Sequence, residues 1–260
     1  MNFNLHTHTY LCRHASETPE EYVLAAINRG IKQLGFSDHI PYDFGEINHF
    51  LNGFRMLKEE TEIYVSQIRR LKEKYKDKIE IYVGYEAEFY PKHFDKTVEN
   101  IEKYGYDYLI LGQHRTNNEY DGVYSGARTE DPKILKQYVL QVTEGIKTGK
   151  FTYVAHPDLI NFADRKSKIY LSEMEKLCRT ALDCKVPLEF NLRGFDFGSH
   201  YPCEEFFEIA KEVGNDIVLG LDAHSVREMK NPAPEERALE ILSKLNIVPI
   251  NNKNADNYIK

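Results

Sequence analysis

Seven short apolar runs recur along the chain, at 2–5, 33–37, 79–83, 108–111, 151–155, 186–190 and 217–221, and each has the length and continuous hydrophobicity of a strand buried on both faces. Helical periodicity fills the intervals. Thr18-Pro19-Glu20-Glu21 supplies an N-cap, a first-turn proline and a capping-box glutamate for a helix that closes at Gly30. Leu57, Tyr64, Ile68, Leu71 and Tyr75 mark a second helix, and Phe94, Val98 and Ile101 a third. Asp131-Pro132 opens a fourth, which carries Leu135, Val139, Val142 and Ile146 before Gly149; Ser172 with Glu175 opens a fifth. Helices over 204–213 and 235–245 follow, and 247–250 has the pattern of a short closing strand. Seven strands alternating with helices predict parallel βαβ units, either closed as a barrel or open as a doubly wound sheet. No long linker or repeat interrupts them, so residues 1–260 read as a single domain.

The length of 260 residues suits one α/β barrel, which needs roughly 250. With 34 Lys+Arg against 41 Asp+Glu the net charge is -7, and no basic tract stands out, which argues against a long nucleic acid as partner. No run approaches the ~18 apolar residues of a membrane span, and the first residues lack the pattern of a signal peptide, so a soluble, cytoplasmic protein without a membrane partner is expected. Cys12, Cys178, Cys184 and Cys203 form no C-x-x-C pair and read as ordinary reduced thiols.

Metal-binding residue types fall where the predicted strands end, the place where barrels carry their chemistry. His6 and His8 follow the first strand, Asp38 and His39 the second, Glu86 the third, His114 the fourth and His156 the fifth, and the seventh delivers Asp222 and His224. The sixth ends in Asn191 and offers no ligand type beyond Glu189. Taken singly, each histidine is more often a packed, hydrogen-bonded core residue than a ligand; their common placement points to a metal site. His49, His93 and His200 fall outside the pattern. Glu88 reads as the partner of a basic group, while Asp38 and Asp158 suit either orientation of imidazoles or helix capping. Arg115, Arg165 and Arg193 follow motif strands and are candidate phosphate contacts, or else exposed arginines in local salt bridges.

In this order, His6-Thr7-His8, Ser37-Asp38-His39, Gly84-Tyr85-Glu86, Gly112-Gln113-His114, Ala155-His156-Pro157-Asp158 and Asp222-Ala223-His224 resemble the motifs of the PHP (polymerase and histidinol phosphatase) superfamily of metal-dependent phosphoesterases. Gly35-Phe36-Ser37-Asp38-His39-Ile40-Pro41, Glu189-Phe190-Asn191 with Gly194, and Tyr201-Pro202 are similar to its histidinol-phosphatase branch. The resemblance implies a distorted seven-stranded, TIM-like β/α barrel holding up to three divalent ions, zinc, manganese or iron. It implies that His6, His8, Glu86 and Asp222 bind the first ion, Glu86 as a bridge with His114 and His156 the second, and His14, His39 and His224 the third. Glu86, Asp222 and His224 would be catalytic, and a metal-bridging hydroxide would convert L-histidinol phosphate to L-histidinol and inorganic phosphate. Glu46, Glu88 or Asp43 would meet the cationic end of that small phosphorylated substrate. The alternative is a PHP phosphoesterase acting on another small phosphate ester or a nucleotide, and Arg193, where relatives often carry small or hydroxyl residues, bears on that choice.

Overall fold

A computed structural model of the chain describes residues 1–45 and 53–259. Its seven strands are β1 (Phe3–Asn4), β2 (Gln33–His39), β3 (Glu80–Ala87), β4 (Tyr108–Leu111), β5 (Tyr153–Val154), β6 (Leu188–Asn191) and β7 (Ile217–Gly220). They lie in sequential order and every pair is parallel. The strands read as apolar runs because both faces are covered. Phe3, Leu5, Tyr82, Tyr108, Ile110, Tyr153 and Val218 pack inside the curled sheet, and a larger cluster fills the space between its outer face and the helices.

Among the described residues the helices are α1 (Pro19–Arg29), α2 (Thr61–Tyr75), α3 (Phe94–Glu102), α4 (Pro132–Lys147), α5 (Lys168–Asp183), α6 (Leu192–Asp196), α7 (Glu204–Val213), α8 (Val226–Lys230) and α9 (Ala233–Lys244). The capping box of Thr18 and Glu21 starts α1, and Asp131 caps α4 through the Lys133 amide. Helix α5 begins a turn before the expected Ser172. Its buried stripe starts at Tyr170, and the Ser167 hydroxyl accepts from the Tyr170 amide, while Ser172 lies on the exposed side. The one-turn helices α6, which follows directly on β6, and α8, which follows the loop after β7, have too few residues to show a periodic stripe. No described helix is long and apolar enough to cross a membrane.

The sheet curls into a barrel whose seam lies between β7 and β1. At its upper end Thr7 and Ala223 form an isolated parallel bridge, with the His8 amide donating to the Ala223 carbonyl at 2.9 Å. Below it, side-chain amides stand in for a main-chain ladder. Asn4 Oδ1 accepts from the Leu221 amide at 2.9 Å. Asn251 Oδ1 accepts from the Leu219 amide at 2.6 Å, and its Nδ2 donates to the carbonyls of Phe3 (3.0 Å) and Leu219 (2.9 Å). The expected closing strand over 247–250 is therefore absent. Pro249 has no N–H for a ladder, Ile250–Asn252 forms a 3-10 turn, and one buried asparagine closes the gap.

Candidate metal centre

The C-terminal ends of the strands converge on one rim and bring the predicted residues with them. His6, His8, His39, Glu86, His156, Asp222 and His224 are buried there, His114 is half-buried, and His14 is exposed at the edge. His156 and Asp222 adopt positive φ values of 30° and 50°, a sparsely populated region for residues with a side chain, at the points where β5 and β7 give way to loops. The surrounding structure holds both side chains inward at that cost.

Glu86 is the centre of the arrangement. Its Oε2 lies 3.7 Å from His6 Nε2, 3.5 Å from His8 Nε2 and 3.0 Å from His39 Nδ1, whereas its Oε1 lies 2.8 Å from His156 Nε2 and 3.4 Å from His114 Nε2. Asp222 Oδ1 faces the first group, 3.5 Å from His6 Nε2 and 3.4 Å from His8 Nε2, and is 3.3 Å from His224 Nδ1. His224 Nε2 and His14 Nε2 meet at 2.9 Å. Two glycines make room: a Cβ on Gly112 would overlap the Glu86 carboxylate, and one on Gly220 would overlap that of Glu189.

Burial alone would push the Glu86 carboxyl up, but His114, His39, His6 and His156 hold it well below the usual carboxylate range. Asp222 is held low against burial by His6, His224 and His8. Burial pushes the His6 imidazole down, and Glu189, Asp222 and Glu86 reverse this and raise it to about 10. The cluster is thus a field that favours positive charge at its centre. His6 Nε2, His8 Nε2 and His39 Nδ1 are buried there without a hydrogen-bond partner. Buried polar atoms are ordinarily paired, so convergent orphan nitrogens beside two carboxylates fit divalent cations, for which imidazole and carboxylate are suitable donors.

The imidazoles are oriented from behind. Glu189 Oε1 accepts from His6 Nδ1 at 2.7 Å, while its Oε2 accepts from the His156 amide and from Asn191 Nδ2, both at 2.9 Å. Glu88 Oε1 takes His114 Nδ1 at 2.9 Å and also pairs with Arg55 Nη2 at 3.1 Å; Arg55 in turn donates to Glu119 Oε1 and the Ile40 carbonyl. Strand six therefore contributes to the site through Glu189, a role that ligand spacing alone missed. The detectable signal was a charged residue inside the apolar stretch Val186-Pro187-Leu188-Glu189-Phe190, which demands a buried partner. Asp38 binds the Thr9 amide at 2.7 Å and stands 3.6 Å from His8 Nδ1, and Asp158 receives the Cys203 amide at 2.6 Å rather than an imidazole.

Above the cluster opens a cleft of about 330 Å³, with Arg115 and Arg193 on its walls beside Phe54, Tyr124, Leu159 and Tyr201. Arg115 Nη1 donates to the Gly122 carbonyl at 3.1 Å; Arg193 pairs with Glu228 and stacks on Phe197. Arg165, expected as a phosphate contact, lies outside the cleft, because its Nη2 is engaged by the His200 carbonyl at 2.6 Å. Glu88 and Asp43 are not part of the lining either: Glu88 is turned behind His114, and Asp43 lies 3.6 Å from Lys58. Glu46 and His49 fall outside the described residues. His93 meets the Tyr120 hydroxyl and His200 the Leu159 carbonyl, away from the cluster.

Comparison with known proteins agrees with this picture. The model of the PHP domain family matches residues 4–193. A "probable histidinol-phosphatase" of Schizosaccharomyces pombe is 30% identical over 254 residues, covering 88% of this chain and 82% of that protein. One of Deinococcus radiodurans, of the same name, is 28% identical over 236 residues and 86% of each chain. The solved structure of histidinol phosphate phosphatase from Lactococcus lactis, complexed with zinc, L-histidinol and phosphate, superposes with a TM-score of 0.72 at 20% identity over 95% of each chain. That likeness extends the agreement to the barrel as a whole.

Proposed function

The chain belongs to the PHP domain family, and on that premise we propose that it is a divalent-metal phosphomonoesterase that hydrolyses L-histidinol phosphate to L-histidinol and inorganic phosphate. The observation that carries the reading is the two-sided Glu86 carboxylate, with separate groups of imidazoles on its two oxygens at the floor of a cleft walled by two arginines. The names borne by the relatives in yeast and Deinococcus supply the substrate.

In this assignment His6, His8, Glu86 and Asp222 hold one ion, Glu86 with His114 and His156 a second, and His14, His39 and His224 a third; zinc, iron and manganese all suit the donors. Bound divalent ions supply acidified water and neutralise charge on a transferring phosphoryl group. The protein's own groups do the rest. Glu86 would be shared between the two inner ions, and Asp222 and His224, which line the cleft beside it, would flank the phosphoryl group. Arg115 and Arg193 offer planar forks to phosphate oxygens, with Arg193 shared between the ester and Glu228. Phe54, Tyr124 and Tyr201 are aromatic surfaces for the imidazole of the leaving alcohol. Arg165 holds the His200 carbonyl and so positions the adjoining Tyr201. The same reading places the protein in the cytoplasm, in keeping with its four free thiols.

Phosphate release from histidinol phosphate by metal-replete protein, measured beside a panel of small monoesters and a single-stranded oligonucleotide, tests the proposal. Preferred turnover of histidinol phosphate is expected. Preference for another ester or a nucleotide would overturn the substrate, and inertness toward all of them would overturn the activity.

A further inference from the structure

Cys12 has no part in the assignment above, yet it is wholly buried at the edge of the cluster. The chain reaches it through a tight turn. Thr9 Oγ1 accepts from the Leu11 amide to start the 3-10 turn Tyr10–Cys12, and Arg13 ends it in the left-handed region with φ of 73°. Arg13 extends outward to pair with Glu60, while the residues on either side of it, Cys12 and His14, face the cluster. Cys12 Sγ, a ring nitrogen of His14 and one of His224 all lie within 4.8 Å of one another; Sγ forms a second such group with His8 and Asp38.

Two further observations point to a ligand at this spot. His8 is fully buried, and neither of its ring nitrogens has a hydrogen-bond partner. Beside it, His14 and His224 present Nε2 atoms to each other at 2.9 Å while each Nδ1 donates to a main-chain carbonyl, of Cys12 at 2.8 Å and of Asp222 at 2.9 Å, so the facing Nε2 atoms are two lone pairs that a cation would satisfy. The Ala15 amide donates to Cys12 Sγ at 3.2 Å, which stabilises negative charge on sulfur. The set His14, His39 and His224 is neutral when its imidazoles are free to coordinate; a thiolate would provide the anionic donor that it lacks.

We infer that Cys12 Sγ coordinates the outermost ion together with His14 and His224, making that position a mixed sulfur and nitrogen site selective for zinc, ferrous iron or cobalt over magnesium and manganese. The inference rests on the metal-site reading of the cluster. Coordination takes the thiol to the thiolate, and the proton passes to solvent.

The test is the absorption spectrum of metal-free protein reloaded with cobalt(II), together with the amount of cobalt bound. Thiolate ligation produces an intense sulfur-to-cobalt charge-transfer band in the near ultraviolet, which imidazoles and carboxylates do not. The band is expected in the unaltered protein and in Cys178→Ser, whereas Cys12→Ser is expected to lose it, along with the most weakly held cobalt equivalent. Cobalt bound without the band, or the band retained in Cys12→Ser, overturns the inference and leaves the metal site standing. Failure to bind cobalt at all overturns both.

Discussion

Replacing Glu189 by glutamine changes one atom pair and, through it, the proton on His6. The carboxylate accepts three bonds: His6 Nδ1–H on Oε1 at 2.7 Å, and the His156 amide and Asn191 Nδ2 on Oε2, each at 2.9 Å. A glutamine has only one accepting end. With its oxygen toward His156 and Asn191 it keeps two bonds, and its NH2 then donates to His6 Nδ1, which forces the ring proton onto Nε2. The opposite orientation sets the NH2 against two donors, at about 1–3 kcal/mol for each buried group left unpaired. The first arrangement therefore wins, and His6 Nε2, which faces Glu86 and Asp222 at 3.7 and 3.5 Å, loses the lone pair it offers a cation. The expected cost is about 10- to 100-fold in metal affinity, the usual range for an outer partner of a ligating histidine, or about 1.4–2.7 kcal/mol. Competition against a fluorescent chelator measures the affinity, and nitrogen-15 spectra of the zinc-loaded protein show which His6 ring nitrogen carries the proton. An affinity within about twofold of the unaltered protein, or a ring proton still on Nδ1, would refute the reasoning.

Three further outcomes are expected. Asn251→Ala removes three hydrogen bonds from the barrel seam, worth about 1 kcal/mol each, and should lower the melting temperature by roughly 6–12 °C at constant metal occupancy; a shift under about 2 °C would show that the seam is closed by other means. Gly112→Ala places a methyl group on the Glu86 carboxylate and should reduce bound metal by at least about 10-fold with an unchanged far-ultraviolet circular dichroism spectrum, so undiminished metal content would contradict the close approach. Removal of metal by a chelator should abolish phosphate release and lower thermal stability, by about 2.7 kcal/mol if the free ion had stood at 100 times its dissociation constant, and re-addition should restore both; full activity after complete stripping would remove the metal from the chemistry.

The strands and the donors at their ends were legible for the same reason. A strand covered on both faces is largely apolar, so its end is marked by a return of polar residues, and at this rim those residues include metal-binding types: His6 after β1, Asp38 and His39 closing β2, His156 and Asp222 just beyond β5 and β7. Other features lacked such a mark. The one-turn helices α6 and α8 are too short for a hydrophobic period to repeat, and Ser172 imitates a cap although the buried stripe of α5 already begins at Tyr170. The closing strand failed because a side-chain amide can pair with a strand edge as a peptide does, and nothing in local patterning distinguishes Asn251 from an exposed asparagine.

The same contrast separates the clustered imidazoles and carboxylates from the arginines around the cleft. An imidazole or a carboxylate is short, so once its backbone is fixed at the end of a strand its donor atoms fall within a small volume, and sequence position comes close to determining spatial position. An arginine in a loop spans a long flexible stem and meets whichever acceptor lies nearest. Arg115 and Arg193 reach the cleft, but Arg165, farther along the loop that follows its strand, turns to the His200 carbonyl. Glu189 and Glu88 show the intermediate case, being short and well placed but aimed at the backs of His6 and His114 instead of at the cleft. A reading confined to candidate ligands overlooks such residues, although a charge buried in an apolar strand already requires a partner, and in this barrel the available partners are the clustered imidazoles themselves.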